Sequence, residues 1–290
     1  MLEKRTPLEQ VLHVINYVVV SAVAFLCLYP MLHVLFASIS DPMRLLSHRG
    51  LMLYPQGFSL RGYEAVLRNP NILNGYINTF IYLFGGLAVS MLLTPLGAYA
   101  LACRDYPFRN VLVFLFVFTM YFSGGLVPNF LVIKELGLYD SRLAIILPTA
   151  VSTYNLIVMR TSFNSVPRAL QESAYLDGAN DFTILFRIYI PCSKATIAVI
   201  ALFYAVTQWN SWFNAMIYLR DSTKWPLQLW LREILINSAA GGVADDADAL
   251  YLQELIRYAV IIVATAPILA IYPFVQKYFM KGVMLGSVKG

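Results

Sequence analysis

Two parts of this 290-residue chain carry residue types at spacings that chemistry uses. The first is a run of amides and indoles: Gln208, Trp209, Asn210, Ser211, Trp212 and Asn214. On a single helix Thr207, Asn210 and Asn214 share a face, and Trp209 and Trp212, three apart, are neighbours. Carboxamides donate and accept hydrogen bonds while indoles offer flat apolar faces, a combination suited to a molecule with hydroxyls on its edges and C–H groups on its faces, as a sugar has. Ser152, Thr153, Tyr154 and Asn155 form a second such group, and Tyr121 with Ser123 a third. The same residues also fit a plainer role, because amides bond between packed membrane helices and Trp marks membrane interfaces.

The second part is the segment from Ser165 to Lys194, SVPRALQESAYLDGANDFTILFRIYIPCSK, which is too polar to cross a bilayer and too regular for a linker. Ser165 is placed to cap a helix, and Pro167 suits its first turn. Arg168 to Asp177 then read as a short amphipathic helix with Leu170, Ala174 and Tyr175 close to one side. Gly178 can take the left-handed conformation that ends such a helix, and Asp181 can start the next. The expected product is a helix-turn-helix knob.

Other chemistries lack their residues. No GxxxxGK[ST] loop occurs, and nothing resembles HExxH or GxSxG. His13, His33 and His48 are scattered without an acid or nucleophile partner; His33, on an apolar run, reads as a packing residue. Cys27, Cys103 and Cys192 lie far apart, so neither a disulfide framework nor a zinc site is indicated. Catalytic residues, metal ligands and a bound cofactor are therefore not expected on this chain.

The elements that must position these groups are set by lipid. Hydrophobic residues make up 59% of the chain and charged ones only 13%, far from a soluble average. The formal charge of +5 is spread singly between apolar runs, with no basic stripe for nucleic acid. Six stretches are long enough to span: about Leu12–Ala37, Tyr76–Ala102, Val111–Leu131, Leu143–Phe163, Ala195–Leu219 and Tyr258–Tyr278. The first is too long for a signal-peptide core and reads as a retained span. With both termini inside, eleven of the 21 basic residues fall on the cytoplasmic side, in the shorter segments, which agrees with the positive-inside rule. That topology makes 165–194 cytoplasmic and 220–257 external. In the latter Leu227, Trp230, Leu231, Ile234 and Leu235 recur at helical spacing, followed by Asp245, Asp246 and Asp248 without the spacing of a calcium loop. The fold class expected is an all-α membrane protein, residues 1–290 forming one transmembrane domain of six helices with a cytoplasmic loop between spans four and five.

In the 165–194 segment the chain resembles the permease subunits of binding-protein-dependent ABC importers, whose mark is a cytoplasmic Glu-Ala-Ala loop followed by a Gly and a distal Pro. Glu172, Ser173, Ala174, Asp177, Gly178, Ala179, Phe186, Ile188 and Pro191 stand at that spacing, with Ser173 replacing the first Ala. The segments YFSGGLVPNFL and QWNSWFNA extend the likeness to the carbohydrate-uptake branch, near maltose-type and alginate-type permeases. The resemblance implies a multi-pass protein of the bacterial inner membrane whose 165–194 loop is a coupling helix seated on an ATPase. Leu170, Ala174 and Tyr175 would supply apolar contact there, Glu172 a carboxylate and Gly178 the turn. It implies as partners a second homologous permease, two ATPase subunits that bind the ATP and Mg, an external solute-binding protein and an oligosaccharide, with an acidic uronate oligomer as one candidate. The tail Lys281–Gly290 is a second candidate ATPase contact. A secondary transporter would need an intramembrane ion site, yet all 16 acidic residues fall between or beyond the six stretches, and a purely structural membrane protein would have no use for the loop pattern.

Overall fold

The computed structural model describes residues 7–103, 106, 108–239, 253–271 and 273, and among these it is helical with no strand. The helices are α1 (Pro7–Ser38), α2 (Pro42–Ser47), α3 (Arg61–Arg68), α4 (Pro70–Ala102), α5 (Arg109–Tyr121), α6 (Leu126–Glu135), α7 (Leu143–Ile146), α8 (Thr153–Asn164), α9 (Arg168–Leu176), α10 (Asp181–Ile184), α11 (Ile190–Cys192), α12 (Lys194–Trp209), α13 (Phe213–Tyr218), α14 (Leu227–Ala239) and α15 (Gln253–Ile271). Leu8–Ser38, Pro70–Ala102 and Gln253–Ile271 are each long and apolar enough to cross a membrane, and the number reaches six if each of three bent helix pairs is one span. The acidic stretch at Asp245, Asp246 and Asp248 and the tail from Lys281 lie outside the described residues.

Three expected spans are not straight helices; the mildest departure is in 143–163, bent by 46° between Leu143–Thr149 and α8. Residues 111–131 split into α5 and α6, which meet at 117°. The cause is local: Gly125 takes φ +85°, where a side chain would be strained, and Pro128 sits in the first turn of α6. With 13 residues α5 is about 20 Å long, short of a bilayer core. The run 195–219 likewise breaks between α12 and α13. There Asn210 turns its Nδ2 back onto the Val206 carbonyl (2.9 Å), and the Ser211 N–H bonds Gln208 O (3.2 Å), so local bonds replace the helical ladder.

The chain divides into two compact units. In the unit formed by Met1–Asn69 with Glu233–Ala266, Ser38 Oγ and the Tyr63 hydroxyl are 2.7 Å apart, and Tyr29 accepts the Met52 N–H (3.0 Å). Gly62 lies where a Cβ would meet Leu255 at 3.0 Å, so α3 and α15 touch closely. His33 packs between the rings of Tyr29 and Tyr258, the packing role expected from its apolar surroundings.

The unit of Pro70–Arg232 with Pro267–Gly290 is built on α4, α8 and α12, which pack on one another. Its core holds Ala98, Leu156, Met159, Phe163, Ile184, Leu185 and Ile200, all at most 2% exposed. At one end a polar clamp fixes the loops 136–142 and 219–226 to α4. Asn78, fully buried, donates to the carbonyls of Thr223 (2.7 Å) and Trp225 (3.2 Å) and accepts from Arg142 (3.0 Å). Tyr82 donates to Lys224 O (2.6 Å), and Thr79 accepts the Leu227 N–H (2.9 Å). Asp140, at φ +57°, takes the N–H groups of Asp221 (3.0 Å) and Arg220 (3.1 Å) and pairs with Lys224 (3.3 Å). These N–H groups, that of Asp221 foremost, together with Lys224, hold its carboxyl below the usual carboxylate range.

Candidate functional site

The knob at 165–192 forms much as the spacing predicts, with a change of cap. Ser165 closes α8 instead of opening α9, its hydroxyl donating to Ser162 O (2.6 Å), and Pro167 occupies the N-cap position of α9. Helix α9 ends at Leu176. Gly178 follows at φ +77°, the Ala179 N–H returns to Ala174 O (2.9 Å), and Asn180 caps α10 through the Thr183 N–H (2.8 Å). Beyond Ile184 the chain stays helical through a wide π turn, Leu185–Tyr189, just before Pro191, whose missing N–H breaks the α-ladder. Residues 181–192 then meet α12 at 89°.

Side chains bind this knob to its unit. Asp181 accepts from the hydroxyls of Tyr175 (2.5 Å) and Tyr99 (2.9 Å) with one carboxylate oxygen, joining α9 and α10 to α4. Tyr189 donates to Gln171 (2.7 Å) and packs edge-on against Tyr99 and Phe163, with ring centroids 5.1 and 5.4 Å away. A small cavity of about 290 Å³ opens here between α8 and α9, with Glu172, Arg168 and Tyr175 in its wall.

The predicted contact residues therefore divide. Ala174 packs on the unit's core and Ala179 beside it, whereas Leu170, Glu172, Ser173, Tyr175, Asp177 and Gly178 remain exposed. The Ser173 hydroxyl is spent on its own helix, donating to Ala169 O (2.7 Å). Leu176, which the spacing argument passed over, is 89% exposed, more than any other large apolar residue described. Its signal was the position directly before the Asp-Gly turn, where a helix end projects outward.

The amide and indole groups are dispersed by the break after Trp209. Gln208 is 2% exposed; it donates to Thr149 Oγ1 (2.8 Å) and fills the space over Gly86, where a Cβ would stand 2.5 Å from Nε2. Trp209 is buried against Tyr76 and Phe80. Asn210 is exposed and bonded to its own helix, Trp212 lies under the Arg232 guanidinium at 4.9 Å, and Asn214 is on α13. Thr207, Asn210 and Asn214 thus do not share one helix face, and Trp209 and Trp212 look to different neighbours.

Tyr154 and Asn155 do border open space. A cavity of about 670 Å³ lies between the start of α8 and the second half of α12, walled by Thr149, Ser152, Tyr154, Asn155, Phe203 and Thr207 among others. Its back is fixed by Tyr204, 2% exposed, whose hydroxyl accepts the Ser152 N–H (2.9 Å) and lies 2.7 Å from Thr94 Oγ1. That bond holds the 46° bend between Leu143–Thr149 and α8.

No protein-family model matches the chain. It is 45% identical over 272 residues to the polygalacturonan/rhamnogalacturonan transport system permease protein YtcP of Bacillus subtilis strain 168, covering 92% of this chain and 94% of that one. Its fold superposes with a TM-score of 0.88 and 33% identity on a chain of a bacterial ABC transporter involved in the import of the acidic polysaccharide alginate, covering 95% and 99% of the two chains. A chain of a bacterial alginate ABC transporter in complex with an alginate pentasaccharide-bound periplasmic protein shares the fold at 17% identity and a TM-score of 0.56, over 91% and 92%. The chain belongs to the permease subunits of sugar ABC transporters, which are non-catalytic membrane components.

Proposed function

We propose that the chain is one of two different permeases of an ABC importer, that it crosses the bacterial cytoplasmic membrane six times with both termini inside, and that it passes an oligosaccharide delivered by an external binding protein. In this reading α5 with α6 and Leu143–Thr149 with α8 count as single broken spans, and α12 with α13 as the fifth span, since irregular backbone at membrane depth is tolerated where it is buried or lines a cavity. The residues 1–290 act as one permease domain, with 220–257 outside.

The observation that carries the proposal is the knob at 165–192: a short helix ending on a left-handed Gly178, tied by Tyr175, Asp181 and Tyr99 to the packed core, and presenting Leu170, Glu172 and Leu176 outward. A cleft on a cytoplasmic ATPase is its proposed seat. That partner binds the ATP and Mg. When ATP closes the ATPase pair, the knob moves with it, and because Asp181 joins it to α4 the unit rocks as a body and exposes its cavity to the other side. Tyr154 and Asn155 are proposed to face the solute, with Gln208 and Trp209 behind them as packing and Asn210, Trp212 and Asn214 toward the outer end.

The sugar proposed is an acidic oligomer of the galacturonate type, carried over from what the relatives' names say of them. Uptake decides the matter: proteoliposomes holding this chain with its partner permease and ATPase should accumulate a galacturonate trimer when binding protein is outside and ATP inside. Accumulation that needs an ion gradient but no ATP would place the chain with secondary transporters.

A further inference from the structure

From the cavity between α8 and α12 we infer a sugar subsite that reads hydroxyls and ring faces but not charge, centred on Asn155; this rests on the importer reading above. Asn155 is only 5% exposed, it lines the cavity, and its carboxamide has no hydrogen-bond partner among the described residues, although its backbone N–H is bonded to Ser152 Oγ. Its amide atoms are not sealed from the cavity, so water meets them there, and a ligand that displaces this water must offer the same bonds or lose free energy on the scale of a hydrogen bond. An acyl chain would leave the amide unsatisfied. A sugar ring would not, since the amide donates and accepts at once and so matches a hydroxyl pair. Tyr154 and Phe203, with ring centroids 6.3 Å apart and planes tilted by 48°, flank the opening with apolar faces for the C–H side of such a ring. A cavity of about 670 Å³ lies within the range of small-molecule sites.

Among the described residues, none in the cavity wall is acidic or basic. A uronate carboxylate pressed against such a wall would lose hydration and gain no cation, so the carboxylates must point away from this chain, to water or to the partner permease. The wall therefore grips the sugar skeleton, and selection for acidic sugar is made elsewhere in the transporter.

The test uses the complete importer in proteoliposomes with the galacturonate trimer, comparing wild type with Asn155→Leu, Asn155→Asp and Tyr154→Ala, and reads trimer accumulated per ATP hydrolysed. Asn155→Leu should lower that ratio about 5- to 10-fold, the value of one hydrogen bond. Asn155→Asp should fall no further than Asn155→Leu. Tyr154 is 55% exposed, so Tyr154→Ala should fold normally and lower the ratio several-fold, which decides the matter if the Asn155 variants fail to assemble. Wild-type ratios in Asn155→Leu and Tyr154→Ala would mean that lipid or a partner side chain fills the cavity, and the subsite is wrong. A loss beyond about 100-fold in Asn155→Asp alone would put a sugar carboxylate against this wall and overturn the uncharged reading. If wild type itself accumulates no trimer, the importer reading fails and the subsite falls with it.

Discussion

Replacing Asn78 by Leu tests how the clamp at the end of α4 is held. The side chain is fully buried and makes three bonds, to Thr223 O, Trp225 O and the Arg142 guanidinium. Leu matches its branching and its number of heavy atoms but none of its polarity. Thr223 O keeps a second donor, Asn74 Nδ2 at 2.8 Å, so its loss is small. Trp225 O loses its side-chain donor, at about 1 kcal/mol, and Arg142 loses the acceptor that receives its charge, at about 2 kcal/mol. The sum, about 3 kcal/mol, corresponds to a fall of roughly 5–10 °C in the unfolding midpoint on the scale of soluble domains of this size. Asn74 is half-buried, and Asn74→Ala leaves Thr223 O bonded to Asn78, so it should cost under about 1 kcal/mol. Thermal unfolding of the detergent-solubilised transporter, followed by intrinsic fluorescence, compares the two. Equal midpoints for the two variants would refute the claim that Asn78 is the centre of the clamp.

Three further outcomes follow from the same geometry. Tyr204→Phe strands the Ser152 N–H and Thr94 Oγ1, so it should destabilise by about 1–3 kcal/mol in the same unfolding assay, a cost that Thr94→Val alone should not reproduce. Asp140 has its folded pKa below its ordinary value of 3.8, so its stabilisation is complete above that pH and is lost as pH falls through the lower folded value. Asp140→Asn keeps an acceptor and tolerates φ +57°, and should therefore flatten the loss of stability measured as the pH falls below 3.8. Gly178→Ala meets no atom within 4 Å, so the only expected cost is that of the left-handed backbone, about 1–2 kcal/mol, and Gly178→Asn should recover part of it; equal midpoints for all three residues would mean the turn relaxes.

What could be read from sequence followed the range of the interactions. Apolar runs and the Leu176-Asp177-Gly178 turn are local, and α1, α4, α9 and the Gly178 bend stand where hydrophobicity and a left-handed glycine put them. The breaks at 122–125 and 210–212 were hidden by apolar neighbours, although Gly125, Pro128 and the Asn210-Ser211 pair were on view. Periodicity treats 195–219 as one helix, and so it set Asn210 beside Asn214; the backbone bond of Asn210 decided otherwise. Partners far apart in the chain left no trace at all. Nothing near Asn78 points to Thr223 and Trp225, 145 and 147 residues away, and nothing near Tyr204 points to Thr94. Gln208 and Asn155 have the same side-chain chemistry and both stood as pathway candidates, but Gln208 met Thr149 and Gly86 while Asn155 met a cavity.

The central claim is that the 165–192 knob carries an ATPase's closure into this chain. Its most direct test is binding-protein-stimulated ATP hydrolysis by the purified importer, with co-purification of the ATPase scored alongside, for wild type, Glu172→Ala, Leu176→Asp and Gly178→Pro. Leu176→Asp puts a charge on the most exposed apolar side chain of the knob and touches nothing in the core, so it should release the ATPase or abolish stimulation while the two permeases stay together. Glu172→Ala should weaken the effect and Gly178→Pro should remove it, since proline cannot take φ +77°. Assembly and stimulation at wild-type levels in all three variants would contradict the account.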